Sequence, residues 1–134
     1  MKQLIAVILS CCLLLGLCSC SVAQLSPDET MLVVYNNAHT GVSFQGPLTE
    51  QEKASVLNTL GSKPLEYAIF HGVPSCGFDP RVAIVINDVP YALALDKCGV
   101  LQNCKTGQYI YITDDDRAVL EAIFTARGGT FPCN

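Results

Sequence analysis

The 134-residue chain has no tryptophan and only two histidines, and charged side chains make up 15% of it. It carries no G-x-S-x-G elbow, no H-E-x-x-H, no P-loop and no G-x-G-x-x-G, so hydrolase, zinc-protease and nucleotide-binding readings find no local support. A C-x-x-C pair is also missing, which argues against a thioredoxin-like redox centre and against a zinc knuckle. Bases are few: 8 Lys and Arg face 12 Asp and Glu, for a net charge of −4 with no basic stripe. Nucleic acid would be repelled by such a surface, and anionic headgroups would not attract it. Neither metal nor cofactor is expected.

Apolar residues are plentiful but unevenly placed. Seventeen of the first 23 residues are hydrophobic, and Lys2 is the lone charge before Asp28. The run from Leu4 to Leu17 would reach about 21 Å as a helix, short of the roughly 30 Å hydrocarbon core. A basic start, a short apolar stretch and small residues beyond it form the layout of a secretory signal peptide. Two cleavage sites compete. Ser21-Val22-Ala23 suits an ordinary signal peptidase, whereas Leu17-Cys18-Ser19-Cys20 resembles the lipobox of bacterial prolipoproteins. On that resemblance residues 1–19 are removed, Cys20 is lipidated, and residues 20–30 are a polar tether to a domain over 31–134. Several acyl chains on Cys20 would hold the protein firmly at the membrane, each buried methylene contributing about 0.8 kcal/mol.

Cysteine parity agrees with export. Of eight cysteines, Cys11, Cys12 and Cys18 leave with the signal; Cys20 is lipidated or cleaved away, and Cys76, Cys98, Cys104 and Cys133 remain. An even set in an oxidising compartment favours two disulfides over a four-thiolate zinc site. Val82–Ile86 and Tyr91–Leu95 read as strands of a hairpin around Asn87-Asp88-Val89-Pro90, whose open end would bring Cys76 to Cys98. A strand from Tyr109 to Ile112 followed by a returning helix from Asp114 to Arg127 would bring Cys104 to Cys133. Four cysteines allow three pairings, and these geometries favour Cys76–Cys98 with Cys104–Cys133.

Elsewhere, Met31–Tyr35 and Val42–Gln45 read as strands, and so does Leu65–Phe70. Thr49-Glu50-Gln51-Glu52 is a capping box that opens a helix lined by Val56, Leu57 and Leu60, with Gly61 as a left-handed stop. The second helix takes Thr113 or Asp114 as its cap, a stripe of Val119, Leu120, Ile123 and Phe124, and Gly128-Gly129 as its end. This order predicts an α+β fold: an antiparallel sheet with two helices packed on one face, stapled by disulfides. Ile110 and Ile112 would face the helices, and Tyr109 and Tyr111 the other side.

Candidate functional residues are few. His39 falls in a turn. His71, Ser75 and Asp79 share the loop before the first hairpin strand, where such residues usually serve turn geometry rather than a catalytic triad. Asp114-Asp115-Asp116 lacks the spaced ligands and glycine of a calcium loop, and helix capping accounts for it. Tyr109 and Tyr111, joined by Tyr91, could form an aromatic patch for a protein partner. The strings Cys76-Gly77-Phe78-Asp79, Asp96-Lys97-Cys98-Gly99, Gly107-x-Tyr109-Ile110 and Phe131-Pro132-Cys133 resemble those of small cysteine-bearing lipoproteins of anaerobic Gram-positive bacteria. That resemblance implies location and disulfides, and no activity. The expectation is a lipid-anchored, extracytoplasmic envelope protein that binds without catalysis. A secreted inhibitor presenting loop 71–80 to a hydrolase, and a small hydrolase with an unrecognised site, are the alternatives.

Overall fold

Two capping boxes start the two helices of the computed structural model, which describes residues 25–70 and 72–132. Thr49 Oγ1 accepts from Glu52 N at 3.2 Å while Glu52 Oε2 accepts from Thr49 N at 2.8 Å, opening α1 over Glu50–Leu60. Thr113 and Asp116 repeat the arrangement at the head of α2, Asp114–Thr125. Each cap satisfies amides that the first helical turn leaves without a partner. The cap acids then reach across to the other helix. Glu52 takes both amino groups of Arg127, which follows α2, at 2.5 and 2.8 Å. Asp116 meets Lys63, just past α1, at 2.8 Å. The helices are thereby clasped antiparallel, head to tail, at both ends.

Both helices lie on one face of a six-stranded antiparallel sheet, ordered β2-β1-β3-β4-β5-β6. Its strands are β1 Met31–Asn37, β2 Val42–Pro47, β3 Val82–Ile86, β4 Val89–Leu93, β5 Val100–Asn103 and β6 Tyr109–Tyr111. Met31, Val33 and Tyr35 alternate onto the helix-facing side, joined across the ladder by Ile86, Ile84 and Val82. Val56, Leu60, Leu120, Ile123 and Phe124 close this core from above. Tyr35 is its polar pin: its hydroxyl donates to Thr130 O and accepts from Thr130 N, at 3.0 and 3.1 Å. The turn after α2 is thereby tied to the centre of β1. The α+β architecture expected from the sequence is the one observed.

The β3–β4 connection is a two-residue turn. Asn87 and Asp88 have φ of 47° and 62°, the positive values that a type I′ hairpin requires. Pro90 therefore belongs to β4 rather than to the turn. It is tolerated because its missing N–H would face Cys104, where β5 has already ended; only its carbonyl is used, accepting from Cys104 N at 2.9 Å.

Several local expectations are corrected. Leu65–Phe70 does not form a strand. Glu66 makes one antiparallel bridge to Tyr109, and the chain then coils into a 3-10 turn over Ala68–Phe70. The strand has nothing to continue along, because Gly107, at a φ of 75°, turns the neighbouring chain away just beyond the bridge. The sixth strand is instead β5, which at four residues is too short and too polar for its pattern to mark. Gly61 ends α1 in right-handed geometry, with φ of −63°, so no left-handed stop is used there. In α2, Val119 is exposed and Arg117 is buried in its stead. The expected signal segment over 1–19, Cys20 and the first residues of the expected tether lie outside the described residues. Among those described, no helix is long and apolar enough to cross a membrane.

Candidate binding loop

The side of the sheet away from the helices is covered over β4–β6 by the loop that runs from Glu66 to Arg81. Both ends of this loop are pinned. Glu66 exchanges two backbone hydrogen bonds with Tyr109, at 2.9 and 2.8 Å. At the other end Cys76 is bonded to Cys98, with Cα atoms 6.5 Å apart. Leu95 N donates to Gly77 O at 2.9 Å, and the Phe78 ring tilts against Tyr109 at a centroid distance of 5.7 Å. Asp79 ends the loop with a two-oxygen grip on the Arg81 guanidinium, at 2.7 to 3.1 Å. That guanidinium holds the Asp79 carboxyl below the usual carboxylate range. Cys76, Ala94, Val100 and Tyr109 form a second small apolar cluster beneath the loop.

Cys98 itself is held by a residue from the opposite side of the sheet. Arg117 is 4% exposed and donates to the carbonyls of Ala94, at 3.0 Å, and of Asp96 and Cys98. Its Nε pairs with Glu121 Oε1 at 2.7 Å, and its Cζ sits 5.6 Å from the Phe131 ring centroid. Asp96 Oδ1 accepts from Cys98 N at 2.8 Å. Gly99 follows because nothing larger fits: a Cβ there would stand 2.4 Å from Ile112 O. The half-cystine at position 98 is thus fixed by the sheet, the helix and the disulfide together.

What this frame exposes is apolar. Tyr67 is 54% exposed, Ile69 84% and Val73 78%, while Glu66 and Ala68 at one end and Cys76 and Phe78 at the other anchor the loop. Large side chains held in water by a stapled backbone are ready for contact, since little ordering remains to oppose binding. No match to this chain is found among protein-family models, curated proteins or solved structures.

The residues singled out in the sequence fall as follows. Tyr109 is nearly fully buried under Phe78, and Tyr111 is half-buried beside it, so they form the floor beneath the loop rather than an open patch. Tyr91 does not join them. It pairs with Asn103, one residue out of phase with the Gln102–Tyr109 pair, and therefore lies on the helix-facing side, buried in the main core. Burial pushes its phenol pKa up. Ser75 is exposed and Asp79 is committed to Arg81, while His71 lies outside the described residues. His39 is exposed in the β1–β2 turn and lines, with Asn37, Asp79 and Arg81, a cavity of about 150 Å³. Asp116 spends its carboxylate on Lys63 and Thr113, which in that order lower its pKa.

Cysteines divide in the same way. Cys76–Cys98 is the expected bridge. Cys104 is a free thiol, half-buried, with Sγ 3.7 Å from Gln102 O. Its expected partner, Cys133, lies outside the described residues. Cys104 sits beside Pro90, whereas Thr130 is tied to Tyr35 on the helix-facing side of β1, three strands away and toward the opposite sheet end. The helix returns the chain toward β1, not toward β5, and so carries it away from Cys104. Cys76, Asp96 and Cys98 are close enough to share a metal ion, but the two sulfurs are bonded to each other and offer no thiolate. Sequence reasoning missed Tyr67 and Ile69, and named Val73 only as part of loop 71–80. The signal was present: Tyr67 and Ile69 share parity in a segment read as a strand, which placed two large apolar groups on one side.

Proposed function

We propose that this is a lipid-anchored, extracytoplasmic envelope protein that acts by binding, with the segment around Val73 of the disulfide-stapled loop as its contact surface and without catalysis. The observation that carries the binding reading is the exposure of Val73, followed by Pro74, on a loop fixed at both ends. The anchor reading rests on the lipobox-like Leu17-Cys18-Ser19-Cys20. A protein is the fitting partner, because an exposed branched side chain on a stiff frame fills a pocket at low entropic cost. Capture from envelope extract by the wild type, compared with Val73→Ser, tests the surface; equal capture discards it. Labelling with palmitate tests the anchor, and an unlabelled wild type removes it.

A secreted inhibitor of a hydrolase is the second reading. It is favoured by the same segment, Val73-Pro74-Ser75, presented beside a disulfide in the manner of a rigid substrate strand. Inhibition of a soluble hydrolase by protein without acylation would decide for it.

A further inference from the structure

The tether and the exposed start of the loop come together at one end of the sheet. The chain enters β1 at Thr30, whose N and O both bond to Asn87 in the β3–β4 turn. The β5–β6 turn, with Lys105 and Thr106, lies at this same end, because β3 to β6 alternate in direction. Glu66 runs antiparallel to β6, so the chain leaves it heading toward that end, and the next exposed apolar residues are Tyr67 and Ile69. Val73 lies further on, where the chain returns toward Cys76 at the other end of the sheet.

From these positions we infer that Tyr67 and Ile69 dip into the bilayer interface, orienting the domain so that the stapled segment around Val73 faces outward. The inference rests on Cys20 being the lipidated residue. Leu25 already packs against the main core, so five residue steps separate Cys20 from the domain, a reach of at most roughly 18 Å. The sheet end that receives it is therefore held beside the membrane, and apolar side chains on that end meet lipid at high local concentration. Tyrosine and isoleucine suit this depth, one with a polar tip for the headgroups and the other wholly apolar. The same end displays Asp28, Asp88 and Lys105, a net negative set, so the contact draws nothing from anionic lipid. It is a contact of apolar surface.

The absence of tryptophan gives a direct test. The acylated full chain carrying Ile69→Trp is placed in phosphatidylcholine vesicles, and its emission is compared with that of Val119→Trp, exposed on α2. A blue shift and quenching by lipids brominated on their acyl chains are expected at position 69 alone. Acylation of Cys20 is read separately, by the mass of the N-terminal peptide. Acylated protein whose indole at position 69 is neither shifted nor quenched overturns the inference and leaves the anchor standing. Absence of acylation overturns the anchor; quenching of a Cys20→Ser, Ile69→Trp chain at high lipid would then support the insertion on its own. A shift seen only after adding envelope proteins, and not with protein-free vesicles, assigns position 69 to a protein partner and overturns the inference.

Discussion

Arg117 on the helix α2 donates to the carbonyl of Cys98, the half-cystine that closes the loop on the opposite side of the sheet. A charged side chain in the core is costly unless its hydrogen bonds are filled, and here three carbonyls, a carboxylate and an aromatic face fill them. Neither partner could be replaced alone. Removing the guanidinium would leave buried carbonyls without donors while keeping their desolvation.

Arg117→Met is accordingly expected to cost about 3 kcal/mol or more of unfolding free energy, measured by chemical denaturation. Arg117→Lys should recover little, because one ammonium cannot span carbonyls on residues 94, 96 and 98 together with Glu121. A loss below about 1 kcal/mol in either variant would remove Arg117 from this role.

How much of this was legible depends on the range over which each feature is determined. The capping box of α1, the hairpin around Asn87-Asp88 and the inward parity of Ile110 follow from neighbours within four residues. β5 does not: Val100-Leu101-Gln102-Asn103 is a strand only because β4 and β6 flank it. Missing β5 also hid the side on which Tyr91 falls, since that is set by its register with Asn103. Leu65–Phe70 failed for the converse reason, good strand residues with one place to pair. Arg117 could have been found. It stands three before Leu120 and seven before Phe124, on the buried stripe, where a charge signals a specific partner. Tyr67 and Ile69 were visible as apolar residues, but their exposure is fixed by the turn at Gly107.

Glu52 makes the helix clasp sensitive to acid. The paired Arg127, first, and then the cap bonds to Thr49 lower its pKa from 4.5 to about 2, against the opposing effect of burial. Its folded value is depressed, so the stabilisation is complete above about pH 4.5 and is lost as pH falls toward 2. The part at stake is on the order of 2–3 kcal/mol, reduced for the pair's partial exposure. Glu52→Gln should lower stability at pH 7 and flatten its dependence between pH 4.5 and 2. Parallel pH curves for the variant and the wild type would contradict the assignment.

The disulfide between Cys76 and Cys98 closes a 22-residue separation. In the chain-entropy account such a closure contributes about 3 kcal/mol. Cys76→Ala/Cys98→Ala should lose that amount, and limited proteolysis should then cut between residues 71 and 76 well before the sheet unfolds. Tyr109 adds a second marker: with Phe78 released, its amide should exchange faster. Cleavage at an unchanged rate would mean that Phe78 and the Glu66 bridge hold the loop without the covalent staple.

Gly99 allows the closest backbone approach in this frame. Ile112 N donates to Gly99 O at 2.9 Å, and Ile112 O stands where a side chain at position 99 would begin. Gly99→Ala must therefore part β5 from the segment after β6, and with it move Cys98 away from Arg117. A destabilisation of about 2 kcal/mol or more is expected, with faster reduction of the disulfide. Gly41→Ala is the informative comparison. Gly41 has positive φ but open space around it, so its cost comes from backbone strain alone and should leave the reduction rate unchanged.

Cys104 decides whether a second bridge exists. Burial raises its thiol pKa, so at neutral pH it is protonated and should react with iodoacetamide more slowly than a free model thiol, accelerating as pH climbs past 9. A peptide map prepared without reduction places the label. Alkylated Cys104 in the native protein agrees with the free thiol beside Gln102 and leaves Cys133 to pair elsewhere or not at all. Recovery of a Cys104–Cys133 peptide would instead establish the second bridge. The Tyr35–Thr130 tie after α2 has its own test: Tyr35→Phe should speed amide exchange at Thr130, and unchanged exchange would remove the tie.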